Sequence, residues 1–307
     1  MKAVRIHDHN DPPAVEDVAV PACGADDVLV RVWAAGLNPL DVKLMRGVMR
    51  QFFPLSFPYT LGTDVAGVIE EVGANVTGWR KGDKVVARTD PAAGGAIAEL
   101  AAVPAAYVAA APSVLPLDEA SGIPTAAGTA WQALFEMAEL TRSQTVLIHA
   151  GAGGVGSFAI QFARNGGTRV IATASGGSLN IIRRLGADEV IDHRSEDFAQ
   201  KVSDVDVVLD TVGGETQQRS HGVLRARGVL LATSAPPDEA LAKAHNVCAS
   251  FVFHFSDAER LRRVVEAIDG AGVKVLLDRK VTLGSFGQAF EHQASGHARG
   301  KIIVSLA

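Results

Sequence analysis

The sequence predicts an α/β protein of two domains, a β-rich unit and a doubly wound parallel sheet, and three observations carry that prediction. From about residue 118 onward, apolar strand-like runs alternate with helical spacings of apolar residues, the pattern of repeated βαβ units. Within that region Val146–Ala163 passes from an apolar run through Gly151-Ala-Gly-Gly-Val-Gly156 into a helical spacing at Phe158, Ile160, Phe162 and Ala163. Before about residue 117, short β-branched runs are bounded by glycine and proline, and helix-starting signals are scarce. At 307 residues the chain also exceeds what a single core ordinarily supports, roughly 250–300 residues. The expected division is 1–117, completed by 272–307, and 118–271.

Taken in order, Val28–Ala34 and Val65–Val72 read as strands, and Gly82-Asp83 is a turn leading into a third at Lys84–Ala87. Pro39–Arg46 is expected to form a short helix with Pro39 in its first turn. Asp118-Glu119 opens a long amphipathic stretch that runs to Leu140 with Trp131, Leu134, Phe135 and Met137 as apolar anchors, and the two acids favour a helix start. Strands follow at Val146–Ala150, Arg169–Thr173, Glu189–Ile191, Val205–Leu209 and Gly228–Ala232, with helices at Leu179–Leu185 and Gly214–Leu224 between them. After the apolar run Ala249–Phe255 comes a helix from Asp257 to about Asp269. The stretch 274–307 returns to strand patterning and is expected to rejoin the first domain.

The composition excludes several classes. Residues are 48% hydrophobic and 21% charged, enough for a sizeable core and unlike a disordered chain. A net charge of −5 without a basic block lacks the footprint of a nucleic-acid binder. Cys23 and Cys248 stand in unrelated contexts, which argues against a disulfide framework or a cysteine-rich zinc site. The nine histidines form no HxxxH or HExxH pattern, and His149, inside an expected strand, reads as a core residue. With no apolar signal segment at the start and no apolar run of spanning length, the expectation is a soluble, cytoplasmic protein without a membrane partner.

The glycine turn is the strongest functional signal. A strand that turns through glycines into a helix aims the free backbone N–H groups and the positive end of the helix dipole at the turn, which suits a pyrophosphate. Gly151 suits the tight turn, Gly153 a close approach of backbone to phosphate, and Gly156 the packing of helix on strand. A dinucleotide site is expected there.

Several stretches then combine: Ala35-Gly-Leu-Asn-Pro-Leu-Asp-Val-Lys43, Leu61-Gly-Thr-Asp-Val-Ala-Gly67, Gly82-Asp-Lys-Val85, Gly128-Thr-Ala-Trp131, the glycine turn, Leu185-Gly-Ala-Asp-Glu-Val-Ile191 and Gly300-Lys301. In this order and over nearly the whole chain they resemble the medium-chain dehydrogenase/reductase superfamily, in its zinc-free quinone oxidoreductase and enone reductase branch. The resemblance implies a GroES-like β-rich catalytic domain, a Rossmann domain and bound NADP(H). It places Asn38 and Thr129 near the nicotinamide end and Gly153, Gly154 and Val155 at the pyrophosphate. Thr211, Thr233 and the run Phe251–Phe253, with Phe251 and Phe253 foremost, fall on the nicotinamide side. Where zinc-dependent relatives have metal ligands, this chain has Asn38, Thr63 and a position near Thr125. An amide and two hydroxyls make a poor zinc site, so no metal is expected. Lys43, in a motif similar to the NPxDxK of plant enone reductases, is the candidate donor to the developing oxyanion; Asp41 either orients it or simply caps the local turn. The alternative for Lys43 is a solvated lysine on a short helix, and for Phe251–Phe255 a core strand or a sheet edge paired across a homodimer.

Cofactor choice follows from the second strand of the expected Rossmann domain. NAD-preferring sites usually carry an acid about 20 residues beyond the glycines, and here Ala172–Ser178 contains none. Ser175 is a candidate donor to a 2′-phosphate, and His193 matches a position where relatives have Tyr or His beside the adenosine, with Arg194 next to it. The leading expectation is an NADPH-dependent reductase of small-molecule quinones or α,β-unsaturated carbonyls. A zinc-free alcohol dehydrogenase, or a non-catalytic NADPH-binding sensor or RNA-binding relative, are the alternatives. The loop Met45–Tyr59, rich in Met and Phe, reads either as an apolar pocket wall or as core.

Overall fold

The structure, a computed structural model, describes residues 1–306. Two compact units divide it: Met1–Ala126 together with the chain from Phe255 onward, and Ala127–His254. The expected boundaries at 117/118 and 271/272 therefore shift, and the reason is local. The helix Ala258–Ala271 packs beside the strand Val108–Ala110, and Asp269 on it accepts hydrogen bonds from the Ser113 and Val114 N–H groups at 2.9–3.2 Å. Ala307, the last residue of the expected range, lies outside the described residues.

The first unit holds strands β1 (Lys2–Ile6), β2 (Ala14–Asp17), β3 (Asp27–Leu37), β4 (Tyr59–Thr60), β5 (Asp64–Val72), β6 (Lys84–Arg88), β7 (Leu100–Pro104) and β8 (Val108–Ala110). Its largest sheet runs β15-β16-β3-β5-β6-β8, where β15 (Leu277–Thr282) and β16 (Lys301–Ser305) come from the end of the chain; β7 pairs with β3 as well. A small sheet, β2-β1-β4, accompanies it. The eleven residues of β3 are the axis of this unit, since they pair with β5, β7 and β16. Val30, Val65, Ile69, Ile97, Ile302 and Phe286 are among the buried residues of its core. In the loop after residue 45, Met45, Leu55 and Phe57 pack on that core, while Val48 and Phe52 are exposed.

Helix α1 (Pro39–Met45) forms where the sequence places it. The continuous helix expected over 118–140 does not form. It is broken into α2 (Leu117–Ala120), a turn, α3 (Pro124–Trp131) and a π-helical segment over Gln132–Met137. Pro124 has no N–H to continue α2 and is tolerated at a helix start. The strand patterning read into 274–307 likewise misses a helix, Phe286–Ala294, which buries Phe286, Ala289, Phe290 and Gln293 at helical spacing between β15 and β16.

The second unit is a six-stranded, wholly parallel sheet in the order β11-β10-β9-β12-β13-β14. Its strands are β9 (Thr145–Ile148), β10 (Arg169–Ala174), β11 (Glu189–Asp192), β12 (Val205–Asp210), β13 (Leu224–Ala232) and β14 (Cys248–Phe251). The helices between them are α4 (Gly154–Asn165), α5 (Leu179–Leu185), α6 (Phe198–Lys201), α7 (Gly214–Ser220) and α8 (Glu239–Ala244); in the first unit α9 (Ala258–Ala271) and α10 (Phe286–Ala294) complete the set. Leu147, Ile171, Val208 and Leu230 are nearly continuous apolar strand residues in its core, as a sheet covered on both faces requires. The chain leaves β9 in one direction to β10 and β11 and returns on the other side at β12, so the order reverses at β9. Ligands of open parallel sheets bind outside the carboxyl ends of the strands at such a reversal. Among the described residues no helix is long and apolar enough to cross a membrane.

The glycine turn at the end of β9 departs in detail from its sequence reading. The left-handed residue is Ala150, with φ 51°, and none of the three motif glycines has a positive φ. Gly156 is required for space instead: a Cβ there would lie 2.4 Å from Ala150 O and 2.9 Å from Gly151 Cα. Gly156→Ala should therefore cost about 1–3 kcal/mol by forcing α4 away from the turn, read as a lower urea midpoint than wild type. An unchanged midpoint would show that the turn yields freely.

Candidate active site

The carboxyl edge of the parallel sheet gathers most of the residues the sequence singles out. Gly153, Gly154 and Val155 follow β9; Ser175 follows β10; His193 and Arg194 follow β11; Thr211 follows β12; Thr233 follows β13; Phe251 ends β14 and Phe253 lies just beyond. The register Ala174↔Asp192 sets Ser175 and His193 at neighbouring strand ends, and the His193 N–H donates to Ala174 O at 3.1 Å. Ser175 is half-buried, and His193 and Arg194 are exposed. Their side chains make no hydrogen bond or ion pair among the described residues. At the start of α4, the first i→i−4 bond is the one from Ser157 N–H to Gly153 O, at 3.0 Å. The N–H groups of Gly154, Val155 and Gly156 precede it and are the donors a pyrophosphate would take.

Two buried groups, neither assigned a role from sequence, hold this edge in shape. His149, 1% exposed, contacts Thr173 Oγ1 through Nδ1 (3.2 Å) and Ser220 Oγ through Nε2 (3.0 Å). Burial pulls its pKa down to about 4, the nearby Asp210 carboxylate opposing, so the ring is neutral at neutral pH and bridges β10 to α7. It is a core residue, as the sequence suggests. Asp210, fully buried, accepts from the N–H groups of Val212 (2.9 Å) and Gly213 (3.0 Å) and from Gln217 Nε2 (3.2 Å). It thereby fixes the turn that carries Thr211, whose hydroxyl donates to His149 O at 3.0 Å. The run Asp210-Thr211-Val212-Gly213-Gly214 was its only sequence signal.

In the first unit the candidates sit around a buried charged cluster. Asn38, 2% exposed, caps α1, and Asp41 Oδ2 accepts from its N–H at 2.8 Å. Asp41 is thus committed to the helix start and does not reach for Lys43, which is half-buried with no side-chain hydrogen bond or ion pair among the described residues. Of the two readings of Asp41, the cap of the local turn is the one observed, and the pairing with Lys43 is not: two residues apart on a helix, the two side chains leave in different directions. The Lys301 ammonium, 3% exposed, donates to Leu37 O (2.8 Å) and to Asn38 Oδ1, and lies 3.6 Å from Asp64 Oδ2. Asp64, fully buried, accepts from the Thr125 N–H (3.1 Å) and hydroxyl (2.6 Å), and Arg88 Nε donates to that same hydroxyl oxygen at 3.0 Å. Arg88 faces Asp64 across the β5–β6 ladder and also reaches Ser256 Oγ at 3.3 Å. Thr129, on α3 in the second unit, is buried.

Burial pushes the Asp41 carboxyl up to about 7, with the Asp64 charge adding to the effect; the Asn38 N–H and the cations of Lys301 and Arg88 oppose it. Burial likewise lowers Lys301 and Arg88, and Asp64 resists this in both. Zinc does not fit here. Asn38 Oδ1 is taken by an ammonium, Thr125 Oγ1 already serves Asp64 and Arg88, and Thr63 offers only a hydroxyl. Among the described residues no group of three or more His, Cys, Asp or Glu side chains is disposed to hold a metal.

Comparison with known proteins finds two family matches and several similar chains. Residues 24–113 match the family described as alcohol dehydrogenase GroES-like domain, and residues 185–304 match the one described as zinc-binding dehydrogenase. The chain is 32% identical over 303 residues to a chloroplastic quinone-oxidoreductase homolog of Spinacia oleracea, covering 94% of this chain and 92% of that one. It is 32% identical over 305 residues to a chloroplastic NADPH-dependent alkenal/one oxidoreductase of Arabidopsis thaliana, covering 94% and 74%. Its structure is similar to that of the quinone oxidoreductase from Coxiella burnetii, with a TM-score of 0.91 and 30% identity over 100% of this chain and 99% of that one.

The raised Asp41 pKa has a measurable sign. Between its ordinary 3.8 and about 7 the folded protein keeps a proton that the unfolded chain has released. Wild-type stability therefore falls as pH rises through that window, by up to about 1.4 kcal/mol per pH unit. Asp41→Asn keeps an acceptor for the Asn38 N–H and removes the dependence. In denaturant unfolding the variant should gain on wild type between pH 5 and pH 8; a constant difference would mean that Asp41 is ionised throughout.

Proposed function

The chain belongs to the medium-chain dehydrogenase/reductase superfamily, in its zinc-free quinone oxidoreductase and enone reductase branch, and from that premise we propose that it is an NADPH-dependent reductase of quinones or α,β-unsaturated carbonyls. It joins a GroES-like domain to a Rossmann-type parallel-sheet domain and is an oxidoreductase. The observation that carries the finer reading is the carboxyl edge of the parallel sheet. There the unbonded N–H groups that open α4 suit a pyrophosphate, and an acid-free strand end at Ser175, flanked by His193 and Arg194, suits a 2′-phosphate.

NADPH, when bound, supplies the hydride. The chain's own residues serve the other half of the reaction. As hydride adds to the β-carbon of an enone, the π electrons move to the carbonyl oxygen, and a proton then reaches the α-carbon; in a quinone the hydride goes to one oxygen, the electrons move through the ring to the other, and a proton there completes the quinol. Without a Lewis acid, the growing negative charge needs hydrogen-bond donors, each worth about 3–4 kcal/mol in a dry site. Lys43 supports that role, because the residue is half-buried and its ammonium is engaged with no other side chain among the described residues. Asn38 and Thr129 are the further donors of this reading, while Thr211, Thr233, Phe251 and Phe253 line the cofactor's side. The outer edge of β14 has no partner strand among the described residues, which supports a homodimer.

A screen of NADPH oxidation against quinones and enones of varied size, with a chelator present, tests the reading. The expected result is undiminished turnover under chelation and a higher catalytic efficiency with NADPH than with NADH. Oxidation of simple alcohols, or efficient use of NADH in its place, would overturn it.

Lys43→Met removes the charge and keeps most of the apolar stem. If the ammonium meets the developing oxyanion, turnover falls by roughly 10²-fold while NADPH affinity is unchanged. Wild-type kinetics in this variant would strike Lys43 from the mechanism, and weakened NADPH binding with intact turnover would move it to a cofactor phosphate.

A further inference from the structure

Lys301 lies on β16, almost without solvent contact, and the chemistry above gives it no part. Its ammonium carries three N–H bonds and has three oxygen neighbours: Leu37 O, Asn38 Oδ1 and Asp64 Oδ2. An ammonium can only donate, so the oxygen and not the nitrogen of the Asn38 amide must face it. The other end of that amide is also partly committed, since Asn38 Nδ2 donates to Gly36 O at 3.3 Å. One Nδ2–H remains. A cation on the amide oxygen draws electron density from the nitrogen and makes that last N–H a better donor.

We propose that Lys301 is a positioning residue for hydride transfer: by holding the Asn38 oxygen it fixes the amide as a donor, leaving one N–H for a carbonyl oxygen of the bound ligand. This rests on the reading that Asn38 serves the reaction. The ammonium is itself held by Asp64, which is anchored from the far side by Thr125 and, through the Thr125 hydroxyl, by Arg88. The orientation of a single side-chain amide near the start of α1 is thus set by a residue 263 positions later. A turn of the Asn38 side chain by half a revolution about its last bond would place Nδ2 against the ammonium, donor to donor, which the cluster forbids.

Two measurements test this. The first needs no turnover. In the cofactor-free protein, the two Asn38 side-chain N–H resonances, identified by their loss in Asn38→Ala, should be well separated and slow to exchange with solvent. Lys301→Arg should preserve that signature and Lys301→Met should abolish it. Because Lys301→Met takes from buried Asp64 one of its two cations, the paired variant Asp64→Asn/Lys301→Met is measured beside it and should also lose the signature. The second is single-turnover hydride transfer to an enone. Asn38→Ala and Lys301→Met should each slow it by about tenfold, and the double variant by no more than the slower single one, with NADPH affinity held within about threefold throughout. A folded Lys301→Met or Asp64→Asn/Lys301→Met protein with a wild-type Asn38 signature overturns the proposal, and so do rate losses that multiply in the double variant. A wild-type protein that reduces no quinone or enone would defeat the functional reading, and the resonance experiment would still decide the role of Lys301.

Discussion

A carboxylate with no access to water, Asp64, is the constraint on which the first unit depends. Its charge is compensated by Lys301 from β16 and Arg88 from β6, and its oxygens are filled by the backbone and hydroxyl of Thr125. Breaking one partner of such an arrangement leaves an uncompensated buried charge, which costs far more than the intact arrangement contributes. The cluster is better understood as specifying geometry than as supplying stability. Through Lys301 it holds the oxygen of the Asn38 amide at the start of α1, the helix that carries Lys43.

The second unit solves a different problem. A dinucleotide needs backbone donors at one strand end and discriminating side chains at the next, and a parallel sheet brings all its carboxyl ends to one edge without any long-range side-chain bond. What the side chains add is rigidity: neutral His149 ties β10 to α7, and Asp210 closes the turn after β12. Neither group is exposed to solvent, so they act on the edge from beneath.

Most of this architecture was legible in the sequence, because strands buried on both faces and helices with apolar stripes announce themselves by periodicity. Five parallel strands, the glycine turn, β3, β5, β6 and α1 all fall where the residues place them. The failures have physical causes. The amphipathic spacing from Asp118 to Leu140 is real, yet Pro124 interrupts the backbone ladder that the spacing presupposes. The helix Phe286–Ala294 is short and sits among strand-like runs, so its four buried residues were absorbed into them. At the site, residue types and order indicated Asn38, Lys43 and the strand-end residues. The Lys301–Asp64–Arg88 cluster was invisible because its members are 24 to 237 residues apart, and no local pattern marks a charged residue as one that will be buried. Asp41 was left between two readings for a related reason: proximity in sequence to Lys43 said nothing about which backbone group its carboxylate would meet.

The pairing of β16 with β3 bears on how the chain acquires its structure. The second unit is one uninterrupted stretch, Ala127–His254, and every contact that shapes its sheet is available once that stretch has been made. The first unit is split around it: β3 waits beside an empty position until β16 is synthesised, and the Asp64 carboxylate has no ammonium until residue 301 emerges. During translation the nucleotide-binding half can therefore consolidate while the half bearing Lys43 remains open along one sheet edge, exposed to pairing with foreign strands. Loss of the whole of β16 would leave that edge permanently unpaired and Asp64 without the Lys301 ammonium, so chains cut short before it should mature into species with an intact sheet for the cofactor and an unfinished partner domain.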